Sequence, residues 1–213
     1  IGFNYWPRDT AVRQWAKYNP EAIEREFVVM EQMGVNCIRM FMLWEDLSPS
    51  PEAIDESFFA KFDDFLARAK NHHVYLNPTL LIGHMSRQDW FPTWFRLNEK
   101  QAKEPEIRAQ YIPLPPKKKQ KGWIRDIYTD KTALSNALLQ IRAFLGRYKE
   151  DPGIVAWDLS NENQYWMQPK TPAIGREYMR LMYEEMKKVD PNHPITYGMG
   201  KFPDRTGFNC YGP

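Results

Sequence analysis

Short apolar runs alternate with amphipathic stretches along this chain. GFNYW at 2–6 reads as a strand closed by Pro7. NPEAIEREFVVMEQMG then carries Asn19 as a candidate cap, Pro20 at the first helical position and Gly34 as a stop, with Ile23, Phe27, Met30 and Met33 at helical spacing. VNCIRMFMLW (35–44) predicts a second strand and VYLNPTLLIG (74–83) a third. Between them, DESFFAKFDDFLARAKNHH (55–73) predicts a helix with Phe58, Phe62, Phe65, Leu66 and Ala69 on one face. A polar, proline-containing stretch from about 84 to 129 interrupts the rhythm. DKTALSNALLQIRAFLGRYK (130–149) predicts a long helix capped by Asp130. DPGIVAWDLSNENQYW (151–166) holds a fourth strand, TPAIGREYMRLMYEEMKKVD (171–190) a helix and PITYGM (194–199) a fifth strand. GFNCYGP (207–213) resembles a sixth, too close behind the fifth for a full crossover helix.

Strands alternating with helices, without hairpin signals, predict a parallel sheet wrapped by helices. A doubly wound sheet and a (β/α)8 TIM barrel both fit that description. The first strand lacks the Gly-x-Gly-x-x-Gly turn of dinucleotide binding. Several strands end instead in bulky polar or aromatic residues: Asn4, Tyr5 and Trp6; Arg39 and Trp44; His84; Asn161 and Glu162. In a barrel all of these ends emerge on the face where active sites are built. The expected fold is therefore the barrel. It is incomplete, about the first five or six strands, since eight need about 250 residues.

Composition narrows the possible functions. The 213 residues are 43% hydrophobic and 15% aromatic, enough for one sizeable core. A net charge of +2, from 29 basic and 27 acidic residues, gives no argument for nucleic acid. The basic run KKKQK at 117–121 reads as a solvated loop. No apolar stretch approaches the roughly 18 residues that span a bilayer. The chain begins at Ile1 rather than Met, so its native N-terminus is expected to lie elsewhere. Cys37 and Cys210 lie in apolar, strand-like contexts and are expected to be free thiols. With no Cys or His cluster at ligand spacing, neither a metal nor another cofactor is expected.

The chemistry concentrates where the fourth strand ends in Asn161, Glu162, Asn163 and Gln164. Helix capping and solvent contact would account for an arbitrary Asn-Glu pair. Here Trp157, Tyr165 and Trp166 flank the carboxyl group in sequence. Apolar surroundings disfavour a charged carboxylate, so Glu162 is expected to hold its proton more tightly than usual. Such a group acts as general acid and becomes a base once its proton is delivered. The Asn161 amide can donate to a sugar hydroxyl.

DPGIVAWDLSNEN resembles the fourth strand of clan A glycoside hydrolases, the retaining (β/α)8 enzymes that include families 2, 5 and 42. YKEDPGIVAWDLSNE as a whole is similar to the helix-to-strand junction of family 5 mannanases and cellulases. The resemblance implies that Glu162 is the acid/base. MGVNCIRMFMLW is similar to the clan's second strand, which makes Arg39 a residue that helps to hold the nucleophile. GFNYWP looks like the opening strand of families 2 and 42, and FNCYGP like the sixth strand of family 2, with Tyr211 beside the nucleophile. Family 5 enzymes usually carry His-x-Tyr there, so Asn209 argues against a close family 5 assignment. His84 stands where some clan members place a substrate-binding His. Residues 1–213 would then be the N-terminal part of one glycosidase catalytic domain acting on an oligo- or polysaccharide with β-linkages.

The clan's nucleophile is a Glu at the end of the seventh strand, and nothing in this sequence reaches that far. Retaining chemistry needs two carboxyl groups about 5 to 5.5 Å apart, so the chain alone is expected to be inactive. Glu45 and Asp46, after the second strand, read as substrate contacts or surface charges. Among the eight tryptophans, Trp44, Trp90, Trp94 and Trp166 fall in or near strand-end loops, where indoles can stack on sugar rings. The 84–129 insertion would form a wall of the cleft. Open barrel edges would invite self-association. The competing function is a carbohydrate-binding barrel that has lost catalysis.

Overall fold

Five parallel strands lie side by side in the order in which the chain makes them: β1 (Gly2–Tyr5), β2 (Cys37–Leu43), β3 (Tyr75–Ile82), β4 (Trp157–Asn161) and β5 (Ile195–Gly198). The computed structural model describes residues 1–86, 88–105, 107–110 and 122–199. A doubly wound sheet would reverse its strand order at a switch point, and this sheet does not. It advances one neighbour at a time, as a (β/α)8 barrel does. The GFNCYGP segment, and with it Cys210 and Tyr211, lies outside the described residues, as does KKKQK.

The helices are α1 (Pro20–Gln32), the single turn α2 (Trp44–Leu47), α3 (Glu56–Asn71), α4 (Lys131–Tyr148) and α5 (Pro172–Val189). The starts of the four longer helices fall where the capping chemistry predicts. The side chains of Asn19, Asp55, Asp130 and Thr171 accept from the backbone N–H groups of Ala22, Ser57, Ala133 and Ile174, satisfying donors that a helix start leaves unpaired. Gly34, at φ +70°, ends α1 in the left-handed conformation, and Val35 N–H closes back onto Met30 C=O.

The outer face of the sheet meets the helices in one apolar layer. Trp15 packs against Phe58, Phe62 and Phe65 of α3, and Phe62 meets Phe144 of α4 edge-on at 4.7 Å. Each of these rings is fully buried and contributes about 2 to 3 kcal/mol by leaving water. The fourth strand is shorter than its apolar run. Ile154 makes only an isolated bridge to Leu76, and the ladder proper begins at Trp157. In the 84–129 stretch the chain forms two small antiparallel pairs, His84–Met85 with Gln88–Asp89 and Arg108–Gln110 with Trp123–Arg125. No helix among the described residues is long and apolar enough to cross a membrane.

Candidate active site

The inner face of the sheet carries charge. Arg39, in the middle of β2 rather than at its end, reaches over β3 to Asp158 of β4. Its Nε donates to Asp158 Oδ2 at 2.7 Å, and its Nη2 donates to the same oxygen. Thr79 of β3 also donates to Oδ2, at 2.7 Å, and Thr196 of β5 donates to Oδ1 at 2.9 Å. Thr79, Asp158 and Thr196 are register partners across three adjacent strands, so their side chains leave the sheet at one level. The Asp158 side chain is 1% exposed. A carboxylate so buried is tolerable only when both its oxygens are hydrogen-bonded, as these are.

The same arginine orients Asn161. Residues three apart in a regular strand point to opposite faces. A register irregularity between Asp158 and Asn161 breaks that alternation and brings both side chains to Arg39. Arg39 Nη2 donates to Asn161 Oδ1 at 3.2 Å, and Asn161 Nδ2 donates to His84 C=O at 3.2 Å. The amide is thereby fixed with its N–H side toward Glu162, whose Oε2 lies 3.5 Å away. Gly198 allows the arrangement: a Cβ there would stand 2.6 Å from Arg39 Nη2 and 2.8 Å from Ser160 C=O.

Glu162 adopts φ +51°, ψ +39°, a left-handed conformation that costs a non-glycine residue of order 1 kcal/mol or more. Its N–H donates to Gly198 C=O at 2.7 Å and its C=O accepts from Tyr165 N–H, so the strain is held from both sides. This turn lifts the half-buried side chain off the end of β4. His84 is buried, with Nδ1 3.0 Å from Asp89 Oδ1 and its ring 5.9 Å from that of Tyr165. Arg39, His84, Asn161 and Glu162 thus converge on one end of the sheet.

Three readings of the sequence change. Trp44 is fully buried: its indole N–H donates to Asn136 Oδ1 at 2.7 Å and its ring meets Phe95 edge-on. Trp166 is fully buried as well, stacked near Phe91 and pressed against Gly83, where a Cβ would lie 2.2 Å from the ring. Neither indole has a face to offer a sugar, because the first turn after each strand folds its ring back into the core. Trp157 also leaves the neighbourhood of Glu162. It sits at the other end of β4, with its N–H donating to Asp190 at 2.6 Å. Trp90 and Trp94 are partly buried, with indole N–H groups on Met85 C=O and Ser48 C=O. Glu45 pairs with Arg13 at 2.7 Å. Asp158, Thr79 and Thr196 were not singled out from the sequence, although an Asp within AWDLSN and an Arg within CIRMFML are opposite charges in buried strands, a signal that they pair. Among the described residues no group of three or more His, Cys, Asp or Glu could hold a metal ion.

A sequential parallel barrel with an Asn-Glu pair closing its fourth strand is the arrangement of a clan A glycoside hydrolase. The glycoside hydrolase family 42 model, described as beta-galactosidase, matches residues 11–196, and the chain belongs to that family. Mannan endo-1,4-beta-mannosidase 2 of Arabidopsis thaliana is 24% identical over 94% of this chain and 45% of its own length. Mannan endo-1,4-beta-mannosidase 4 of Oryza sativa subsp. japonica is 24% identical over 94% and 42%. The chain spans less than half the length of these curated relatives. A family 5 structure from Bifidobacterium longum superposes with a TM-score of 0.78 at 18% identity, over 100% of this chain and 46% of that one. A Streptomyces cattleya family 5 structure in complex with GlcNAc gives 0.75 at 18% identity, over 93% and 44%. These superpositions establish the fold as part of a (β/α)8 barrel.

Proposed function

We propose that residues 1–213 are the N-terminal part of the catalytic barrel of a retaining β-glycosidase, with Glu162 as its general acid/base. The observation that carries this reading is the strained, left-handed Glu162 at the end of β4, its carboxylate beside an Asn161 amide fixed by Arg39 and His84 C=O. Glu162 would protonate the glycosidic oxygen as the bond breaks and then take a proton from the water that releases the sugar. Asn161 Nδ2 would donate to a ring hydroxyl of the sugar, a contact that strengthens as the ring flattens. Arg39 would act through Asn161 and Asp158 as a positioning residue.

The nucleophile would come from outside the described residues. Asp158 already has both oxygens engaged and Glu45 is paired with Arg13, which leaves neither placed to attack. The names of the relatives favour a β-1,4-mannosidic substrate, with β-galactosides second. The test is hydrolysis of β-1,4-mannan, β-1,4-glucan and aryl β-galactosides by the full-length protein, with the configuration of the first-formed product followed by proton NMR. A β-anomer formed first supports the reading. An α-anomer contradicts retention, and binding without turnover identifies a barrel that only holds carbohydrate.

A further inference from the structure

The chain leaves β3 through a tight hairpin, His84–Met85 against Gln88–Asp89, that lies against the turn carrying Glu162. Gly83, at its root, is pressed on the Trp166 ring. The His84 ring stands 5.9 Å from that of Tyr165, and His84 C=O accepts from Asn161 Nδ2 at 3.2 Å. Trp90 closes the base, its N–H donating to Gly83 C=O at 2.8 Å and its indole N–H to Met85 C=O at 3.0 Å. Ser86, at φ +53°, is left-handed, a conformation that a non-glycine residue keeps only where its surroundings over-determine it.

His84 and Asp89 are register partners across this hairpin, with Nδ1 3.0 Å from Oδ1. Their side chains are only 4% and 3% exposed, although Ser86 and Gln88 at the tip lie in water. Burying an acid and an imidazole has a desolvation cost that a hairpin closed by solvated side chains would avoid. As a carboxylate, Asp89 has no hydrogen to give, so Nδ1 is the protonated nitrogen of His84. The contact fixes the His84 residue as a whole, including the C=O that Asn161 uses. The path to the acid/base is short: Asp89 Oδ1 to His84 Nδ1, His84 C=O to Asn161 Nδ2, and Asn161 Nδ2 to Glu162 Oε2 at 3.5 Å.

We propose that Asp89 is a positioning residue for the candidate site, acting through His84 on the Asn161 amide beside Glu162. The Asn161 side chain is gripped from two unrelated elements. Arg39 of β2 donates to its Oδ1 at 3.2 Å, and the hairpin accepts from its Nδ2. Arg39 has Asp158 as its own anchor, and Asp89 is the corresponding anchor for His84. An amide fixed in this way needs no reorganisation as a hydroxyl hydrogen bond tightens in the transition state. The inference rests on the glycosidase reading for its kinetic measurement, and its geometric part is read without substrate.

The test compares full-length wild type, Asp89→Leu and Asp89→Asn under conditions where urea curves show each to be folded. Leu resembles Asp in shape but accepts nothing, whereas Asn keeps an oxygen for Nδ1–H. Nitrogen-15 NMR of the His84 ring should show Nδ1 protonated in wild type and in Asp89→Asn, and released from that tautomer in Asp89→Leu. The Asn161 side-chain amide resonance should move in Asp89→Leu. On β-1,4-mannohexaose, or cellohexaose if that is the faster substrate, kcat of Asp89→Leu should fall about 10²-fold with KM changed far less. Asp89→Asn should recover about tenfold of that loss. A loss of stability alone would leave kcat of the folded enzyme untouched. The proposal is overturned if the Asn161 resonance stays still in Asp89→Leu, if kcat holds although that resonance moves, or if wild-type Nδ1 is unprotonated. Failure of the glycosidase reading looks different. If neither hexaose is turned over, that reading falls, and the Asn161 resonance alone decides whether Asp89 acts on the amide.

Discussion

Arg39 on β2 and Asp158 on β4 are paired across the intervening strand β3, and Thr79 of that strand donates to the same carboxylate oxygen. The pair therefore ties three strands together at the level where the candidate site begins. Asp158→Ala should destabilise the protein by about 3 to 5 kcal/mol, because it strands a largely buried guanidinium. Urea unfolding measures this directly. Arg39→Lys keeps the charge but loses the fork that serves Asp158 and Asn161 together. That variant should stay folded while kcat/KM falls more than its stability does.

Gly198 is the second structural requirement. In Gly198→Ala the new methyl would meet the backbone oxygen of Ser160, which cannot move aside as a side chain can. A loss of about 1 to 3 kcal/mol is expected. The hydrogen bond from Glu162 N–H to Gly198 C=O should loosen with it, visible as faster amide hydrogen exchange at Glu162. Unchanged stability and exchange would show that the strand yields easily.

Asp46 should make stability depend on pH. Burial is the main cause that pushes its pKa up to about 7, although its carboxylate accepts from Leu43 N–H, and the nearby charges of Glu45, Arg13 and Lys61 act in opposite directions. A folded-state pKa above the unfolded one means that the folded protein binds the proton more tightly. The contribution is present below about pH 4 and is lost as pH rises through about 7. Asp46→Asn, which keeps an acceptor for Leu43, should match wild type near pH 4 and be more stable by about 1 to 3 kcal/mol near pH 8. His72, raised by its hydrogen bonds to Glu24 and Glu31, adds a fall of the same sign. The Asp46 contribution is therefore read from the difference between variant and wild type.

Trp44 and Trp166 should behave as core residues. Trp44→Phe abandons the hydrogen bond to Asn136, and Trp166→Phe the contact with Asn163, each at a cost of about 1 to 3 kcal/mol. Neither change should alter oligosaccharide affinity, measured by calorimetry on the folded variants.

Helices and strand order were legible because periodicity and capping are local. Asn19, Asp55, Asp130 and Thr171 each announce a helix start within a few residues. The tryptophans misled because a strand-end position does not say which way an indole turns. Trp44 turns back toward Asn136 of α4, a partner far away in sequence. The Asn161–Glu162 pair could be picked out from its dense polarity after an apolar run. Its fixing by Arg39, Asp158 and a register irregularity could not, because that depends on side-chain directions set by three strands at once.

The role of Glu162 is tested most directly by Glu162→Gln in the full-length protein, assayed on two kinds of substrate. Gln cannot deliver a proton but keeps the size of the side chain. Turnover of an unactivated oligosaccharide, which needs its leaving oxygen protonated, should fall by about 10²- to 10⁴-fold. Bond cleavage in an activated aryl glycoside needs little protonation, so pre-steady-state release of the aryl group should be largely spared. Equal loss on both substrates, or no loss on either, would contradict the assignment of Glu162 as acid/base.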